Sequence, residues 1–255
     1  MNKIIIANWK TYLSIDESID LAKEILRFIK NKKDLPELVL CPSYPAIGEV
    51  QKAVNKSQKI KLGAQNMNWR DRGAYTGEVS PIMLKELSCE FVILGHSERR
   101  KHFHETNLDI HERVRLALEY NLTPIVCVGE TAEERRQGKR DKVIREQVTE
   151  SLGVLDLDEG SRIIIAYEPV WVIGTGKAVD PDDAVHSHGV IRQALVDNFS
   201  EPEYNLHFRV IYGGSVDADN LEGFLEREII SGVLVGGAST KAESFKELIE
   251  AYINI

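Results

Sequence analysis

Residues 4–10 read Ile4-Ile5-Ile6-Ala7-Asn8-Trp9-Lys10. Four apolar residues in a row suit a short strand that is buried on both faces, as parallel strands are. The run stops on an amide and a lysine, with no glycine. An open doubly wound sheet usually follows its first strand with a glycine-rich turn, so this ending argues against one. Working outward, similar runs recur at 38–41, 60–64, 91–94, 124–128, 163–166, 208–212 and 233–235.

Helical signals fall between them. Ser14-Ile15-Asp16-Glu17 is a capping box, followed by Ile19, Ala22, Leu26 and Ile29 at helical spacing. Residues 45–54 form a shorter amphipathic stretch, and Ser80-Pro81 opens another helix with a cap and a proline at its first position. Ile110, Val114, Ala117 and Leu118 mark a helix over 108–119. Thr131-Ala132-Glu133-Glu134 is a second box, and predicts one long charged helix to about residue 152. Helices over 181–199, 219–225 and 241–252 complete the pattern. Eight strands alternating with helices, at about 32 residues per unit, predict one (β/α)8 barrel spanning 1–255 as a single domain.

The bulk properties agree with such a chain. It has 255 residues, 43% hydrophobic and 28% charged, enough for a large core. A net charge of −8 argues against nonspecific nucleic-acid binding but leaves room for an anionic small molecule held by local cations and N–H groups. Cys41, Cys89 and Cys127 are too scattered for a disulfide framework or a CxxC metal site, which predicts a reduced, cytoplasmic protein. The opening apolar run is too short for a signal peptide or a membrane span, so neither is expected.

In a (β/α)8 barrel the C-terminal ends of the strands carry the chemistry. Those ends hold Asn8 and Lys10, then His96 and Glu98, Glu130, Glu168, and the glycine-rich turns at Gly213-Gly214-Ser215 and Gly236-Gly237. Pro169 ends the sixth strand and leaves Glu168 at its tip. The turns offer N–H groups to an anion. The apolar stretch Pro169-Val170-Trp171-Val172-Ile173-Gly174-Thr175-Gly176-Lys177 has the make-up of a lid that excludes water. Together these suit proton abstraction beside a carbonyl on a phosphorylated substrate: Glu168 the base, His96 the polarising electrophile, Lys10 a charge for the enediolate.

Taken singly, each residue has a plainer account. A carboxylate or lysine at a strand end is commonly solvated, and glycines commonly make ordinary turns. Coincidence at one end of one barrel is what favours function. The pairs His102/His104 and His186/His188 do not share a helix face and predict no metal site. Gly174-Thr175-Gly176-Lys177 lacks the pattern of a nucleotide phosphate loop. Residues 133–136 read as a solvated helix face, and Cys127 as a small buried residue.

The chain resembles the triosephosphate isomerase family through motifs spread over its whole length. They are Asn8-Trp9-Lys10, Gly63-Ala64-Gln65-Asn66, residues 73–80, Gly95-His96-Ser97-Glu98-Arg99-Arg100, residues 127–131, Tyr167-Glu168-Pro169-Val170-Trp171, residues 174–177, residues 212–216 and residues 234–239. The resemblance implies a single (β/α)8 TIM barrel that interconverts dihydroxyacetone phosphate and glyceraldehyde 3-phosphate in glycolysis and gluconeogenesis, with no metal or organic cofactor. It implies Glu168 as base, His96 as electrophile, Asn8 and Lys10 as substrate contacts, and Glu98 as the acid supporting the lysine. It further implies phosphate contacts at Gly174, Ser215, Gly236 and Gly237. A homodimer is implied too, in which Thr76 reaches the neighbouring site.

The sequence departs from the family at Val172 and Val179, where alanines are usual, at His104, where glycine is usual, and at Asn68, Trp69 and Ser231. Two other functions are compatible with parts of the pattern. One is an isomerase of another short ketose phosphate, such as a tetrulose phosphate, suggested by the lid substitutions. The other is a non-catalytic phosphate-binding scaffold, which would have no need of Glu168.

Overall fold

Eight parallel strands close on themselves in chain order, so that β1 pairs with both β2 and β8. The computed structural model describes residues 3–54 and 57–255. The elements are β1 (Ile4–Asn8), α1 (Ile15–Ile29), β2 (Glu37–Cys41), α2 (Tyr44–Val54), β3 (Ile60–Ala64), α3 (Pro81–Glu86) and β4 (Cys89–Leu94). Then follow α4 (Ser97–Phe103), α5 (Asn107–Glu119), β5 (Thr123–Val128), α6 (Ala132–Arg136), α7 (Arg140–Leu152) and β6 (Ile163–Tyr167). The last part holds α8 (Pro181–Phe199), α9 (Glu201–His207), β7 (Phe208–Tyr212), α10 (Leu221–Leu225), β8 (Gly232–Val235) and α11 (Ala242–Ile253).

All eight expected strands are present, within two residues at their ends. Their continuous apolar character follows from having two buried faces. Ile4, Ile6, Val39, Cys41, Phe91, Ile93, Ile125, Cys127, Ile164, Ala166, Ile211 and Leu234 fill the barrel interior. Their alternates, such as Ile5, Ala7, Leu38 and Leu40, pack outward beneath the helices. Each fully buried isoleucine or leucine contributes roughly 1.5–3 kcal/mol of transfer free energy.

The helix starts obey the capping signals. Both limbs of the boxes at Ser14/Glu17 and Thr131/Glu134 are made, and Ser80 caps α3 ahead of Pro81. The second box corrects one expectation. It opens only the five-residue α6, not a helix running to residue 152, because Gly138 turns into the left-handed region at φ 69° and the chain restarts at Arg140. The short polar α9, entered through Ser200 at φ 88°, lacks an apolar period and was not foreseen. His104, where glycine was the usual residue, ends α4 in the left-handed conformation at φ 55°. No helix among the described residues is long and apolar enough to cross a membrane.

Candidate active site

One cleft of about 400 Å³ opens at the C-terminal mouth of the barrel. Its walls include Asn8, Lys10, His96, Glu168, Gly174, Ser215, Gly236 and Gly237. These come from five strand ends and the lid, and all were candidates on sequence alone. Glu98 borders the neighbouring groove, which shares Asn8, Lys10 and His96 with the cleft.

Glu168 follows β6 directly, and its backbone N–H donates to Val128 O at 2.7 Å, which fixes it against β5. The side chain is 2% exposed. Oε2 accepts from the backbone N–H of Ser97 at 3.0 Å, at the N-terminus of α4. Oε1 lies 3.1 Å from His96 Nε2, yet the contact lacks hydrogen-bond geometry and Oε1 has no hydrogen-bond partner among the described residues. A buried carboxylate oxygen with a free lone pair is a competent proton acceptor once a substrate presents a C–H.

Gly129 makes room for this arrangement. A Cβ at that position would lie 1.8 Å from Glu168 O. The peptide of Gly129 is gripped at both ends by Gln147, whose Oε1 accepts from Gly129 N at 2.7 Å and whose Nε2 donates to Gly129 O at 3.2 Å.

His96 is the N-cap of α4, and its Nδ1 accepts from the Glu98 backbone N–H at 3.2 Å. A backbone N–H can only donate, so Nδ1 is unprotonated and Nε2 carries the hydrogen facing the cleft. Lys10 Nζ meets Glu98 Oε1 at 2.5 Å. Burial pushes the Glu98 carboxyl up, but the hydrogen bond and charge of Lys10, with other neighbouring groups, outweigh it, so its pKa lies below the ordinary value. Lys10 is held in the left-handed region at φ 51°. Its N–H donates to Asn8 Oδ1 at 3.1 Å, and its carbonyl accepts from Gln65 Nε2 at 2.7 Å. A Cβ built on Gly236 would sit 3.8 Å from Lys10 Nζ, so the cation flanks the eighth-strand turn.

The segment expected to act as a lid starts as a single 3-10 turn over Val170–Val172, and Gly174 and Gly176 reach the cleft wall. Its ends are rooted in the core. Val172 and Val179 are both buried, and Val179 N–H donates to Tyr212 Oη at 3.4 Å. At the first end, Glu130 is 0% exposed and accepts from Tyr167 Oη at 3.1 Å and Trp171 Nε1 at 3.0 Å. Sequence placed Glu130 at a strand end without giving it a role. A carboxylate next to a capping box, 41 residues from a lone tryptophan, is a signal visible only after folding.

Several other residues sit as foreseen. Cys127 is buried; burial, reinforced by the adjacent Glu168 carboxylate, pushes its thiol well up, so it is a poor nucleophile. His186 is exposed beside Asp141, whereas His188 is buried with Nδ1 on Ala184 O at 2.7 Å. The face at 133–136 departs from its expectation: Arg135 is folded onto Trp171 rather than solvated. Ile173 of the expected lid also lines the cleft, and so do Tyr12, Val216, Asp217 and Leu234, to which sequence gave no role at the site.

Comparison with known proteins follows the same lines. The sequence model of the family described as triosephosphate isomerase matches residues 3–252. A protein of Dictyoglomus thermophilum named triosephosphate isomerase is 45% identical over 249 residues, covering 98% of this chain and 99% of its own. One from Caldanaerobacter subterraneus subsp. tengcongensis with the same name is 42% identical over 246 residues, 96% of this chain and 98% of its own. One from Clostridium perfringens, also so named, is 40% identical over 246 residues, again 96% and 98%.

Proposed function

This chain belongs to the triosephosphate isomerase family, and from that premise we propose how its cleft interconverts dihydroxyacetone phosphate and glyceraldehyde 3-phosphate. The enzyme is an aldose–ketose isomerase. The substrate phosphate rests on the N–H groups around Ser215, Gly236 and Gly237, with Gly174 of the lid closing from above. The carbonyl oxygen faces His96 Nε2–H, with Lys10 and Asn8 alongside. Glu168 Oε1 removes a proton from the carbon next to the carbonyl, and the enediolate charge is shared by His96 and Lys10. Glu168 returns the proton to the adjacent carbon. The family is itself a standard illustration of a glutamate base working with a neutral histidine.

One observation carries this reading: a buried carboxylate with an unpartnered oxygen stands 3.1 Å from an imidazole whose tautomer is fixed. Nothing in the cleft favours a longer ketose phosphate. Val172, the substitution that suggested one, is buried at the base of the lid and is not among the cleft-lining residues.

The same proposal includes a dimer. Thr76 is exposed in the loop of residues 65–79. A groove of about 540 Å³, bounded by Tyr44, Gln65, Glu98 and Phe103, runs up to Lys10 and His96. Phe103 is 64% exposed there, an apolar side chain suited to being covered by a second copy. A reducing cytoplasm fits the three cysteines, all free and buried.

A coupled assay with triose and tetrose phosphates, run across a protein dilution series, tests both parts. The expected result is turnover of the trioses with specific activity falling as the dimer dissociates. Absence of triose turnover by folded protein would refute the reading, and full activity in a monomer would refute the role of Thr76.

A further inference from the structure

A single side chain ties the first end of the lid to the helix that follows it. Trp171, near the first end, donates from Nε1 to the buried Glu130. The guanidinium of Arg135 lies over the same indole, its Cζ 4.7 Å from the ring centroid. Arg135 also stands 3.4 Å from Glu130 Oε1 and 2.7 Å from Asp183 Oδ2. Asp183 lies in the first turn of α8, the helix that begins just beyond the second end of the lid. Arg140, the first residue of α7, holds Asp183 at 3.3 Å.

The chemistry of this cluster is specific. Glu130 is fully buried, so its oxygens need donors in place of water, and the two it has from Tyr167 and Trp171 are neutral. Arg135 supplies the cation. A flat guanidinium can stack on the indole and hold a carboxylate at its edge at the same time, which an ammonium cannot. In this arrangement Gly174 and Gly176 line the cleft.

We propose that Arg135, anchored by Asp183, is a positioning residue that ties the first end of the lid to α8 and so keeps the enediolate from escaping its enclosed state. This rests on the isomerase reading above. An enediolate released from the enclosed state has another fate: its electron pair expels phosphate by breaking the C–O bond. The products are inorganic phosphate and an enol that tautomerises to 2-oxopropanal. A looser clamp raises the share of turnovers that end this way.

The test measures isomerisation and phosphate release together for wild type, Arg135→Leu, Arg135→Lys and Asp183→Asn, each checked for fold by circular dichroism. Loss of the stacked cation in Arg135→Leu is expected to raise the eliminated fraction about fivefold. Arg135→Lys, which keeps the charge without the flat stack, and Asp183→Asn, which removes only the anchor, are expected to lie between. A merely structural role would change melting and yield but not this fraction. Should Arg135→Leu not fold, Arg135→Lys and Asp183→Asn decide the matter. Folded variants with the wild-type fraction would overturn the inference alone. A wild-type enzyme that isomerises no triose phosphate would overturn the isomerase reading, and the inference with it.

Discussion

The backbone N–H of Glu98 donates to Nδ1 of His96 across 3.2 Å, and this contact decides which ring nitrogen carries the hydrogen. Because both residues belong to the start of α4, local backbone geometry sets the tautomer without help from any distant group. Nitrogen NMR of the labelled imidazole at neutral pH should show Nε2 protonated and Nδ1 bare. His96→Asn, which removes the imidazole donor, should lower kcat on the order of 100-fold or more. A protonated Nδ1, or near-normal kcat in the variant, would remove His96 from the electrophile's role.

Glu168→Asp draws the carboxylate back by one methylene while keeping its charge. Misplacement by about an ångström can cost about 100-fold in rate. The expected outcome is a kcat reduced by that order with KM changed little, read from steady-state kinetics in both directions. An unchanged kcat would show that another group takes the proton.

Gly129→Ala should damage the site through the backbone. The new methyl would need the space 1.8 Å from Glu168 O, and the Gln147 clamp prevents the Gly129 peptide from yielding. Overpacking of this kind costs about 1–3 kcal/mol. Urea unfolding should show a loss of that size, accompanied by a fall in kcat as Glu168 is displaced. A stable, fully active variant would contradict the geometry.

His188 makes stability depend on pH in a defined direction. Burial lowers its pKa to about 4, against hydrogen bonds to backbone carbonyls that raise it. The unfolded chain, with an ordinary histidine, takes up the proton first as pH falls through 6.5. The stabilisation is therefore complete above about 6.5 and is lost progressively down to about 4, amounting to about 3 kcal/mol over that window. Denaturation midpoints at pH 7 and pH 5 should differ accordingly. His188→Asn should lose most of that slope, and an unchanged slope would assign it to other groups.

The fold was legible because two buried faces force apolar runs such as Ile163-Ile164-Ile165-Ala166, which no helix of that length would need. Most of the site was legible for a related reason. A closed parallel barrel points every strand end to one mouth, so Asn8, His96, Glu168 and Gly236 meet there wherever they fall in sequence. The break at Gly138 escaped because the charged residues on either side keep a helical composition while one positive φ ends the helix. The partnership of Glu130, Arg135 and Trp171 escaped because it joins α6 and the short stretch before it to the segment after the neighbouring strand β6, and no spacing within one element records it. Arg135 looked solvated for the same reason: next to Glu133, Glu134 and Arg136, its partner on the lid leaves no local trace.

Lys10 carries both the cation of the cleft and a backbone angle, φ 51°, that side chains avoid. Holding it there costs about 1–2 kcal/mol relative to an unstrained residue. Stability and turnover thus pull in opposite directions on a single codon. A glycine at this place would relax the main chain while erasing the charge, giving, on the proposed mechanism, a sturdier barrel with little turnover. Laboratory selection for thermal tolerance without an activity screen would drift toward that inert chain.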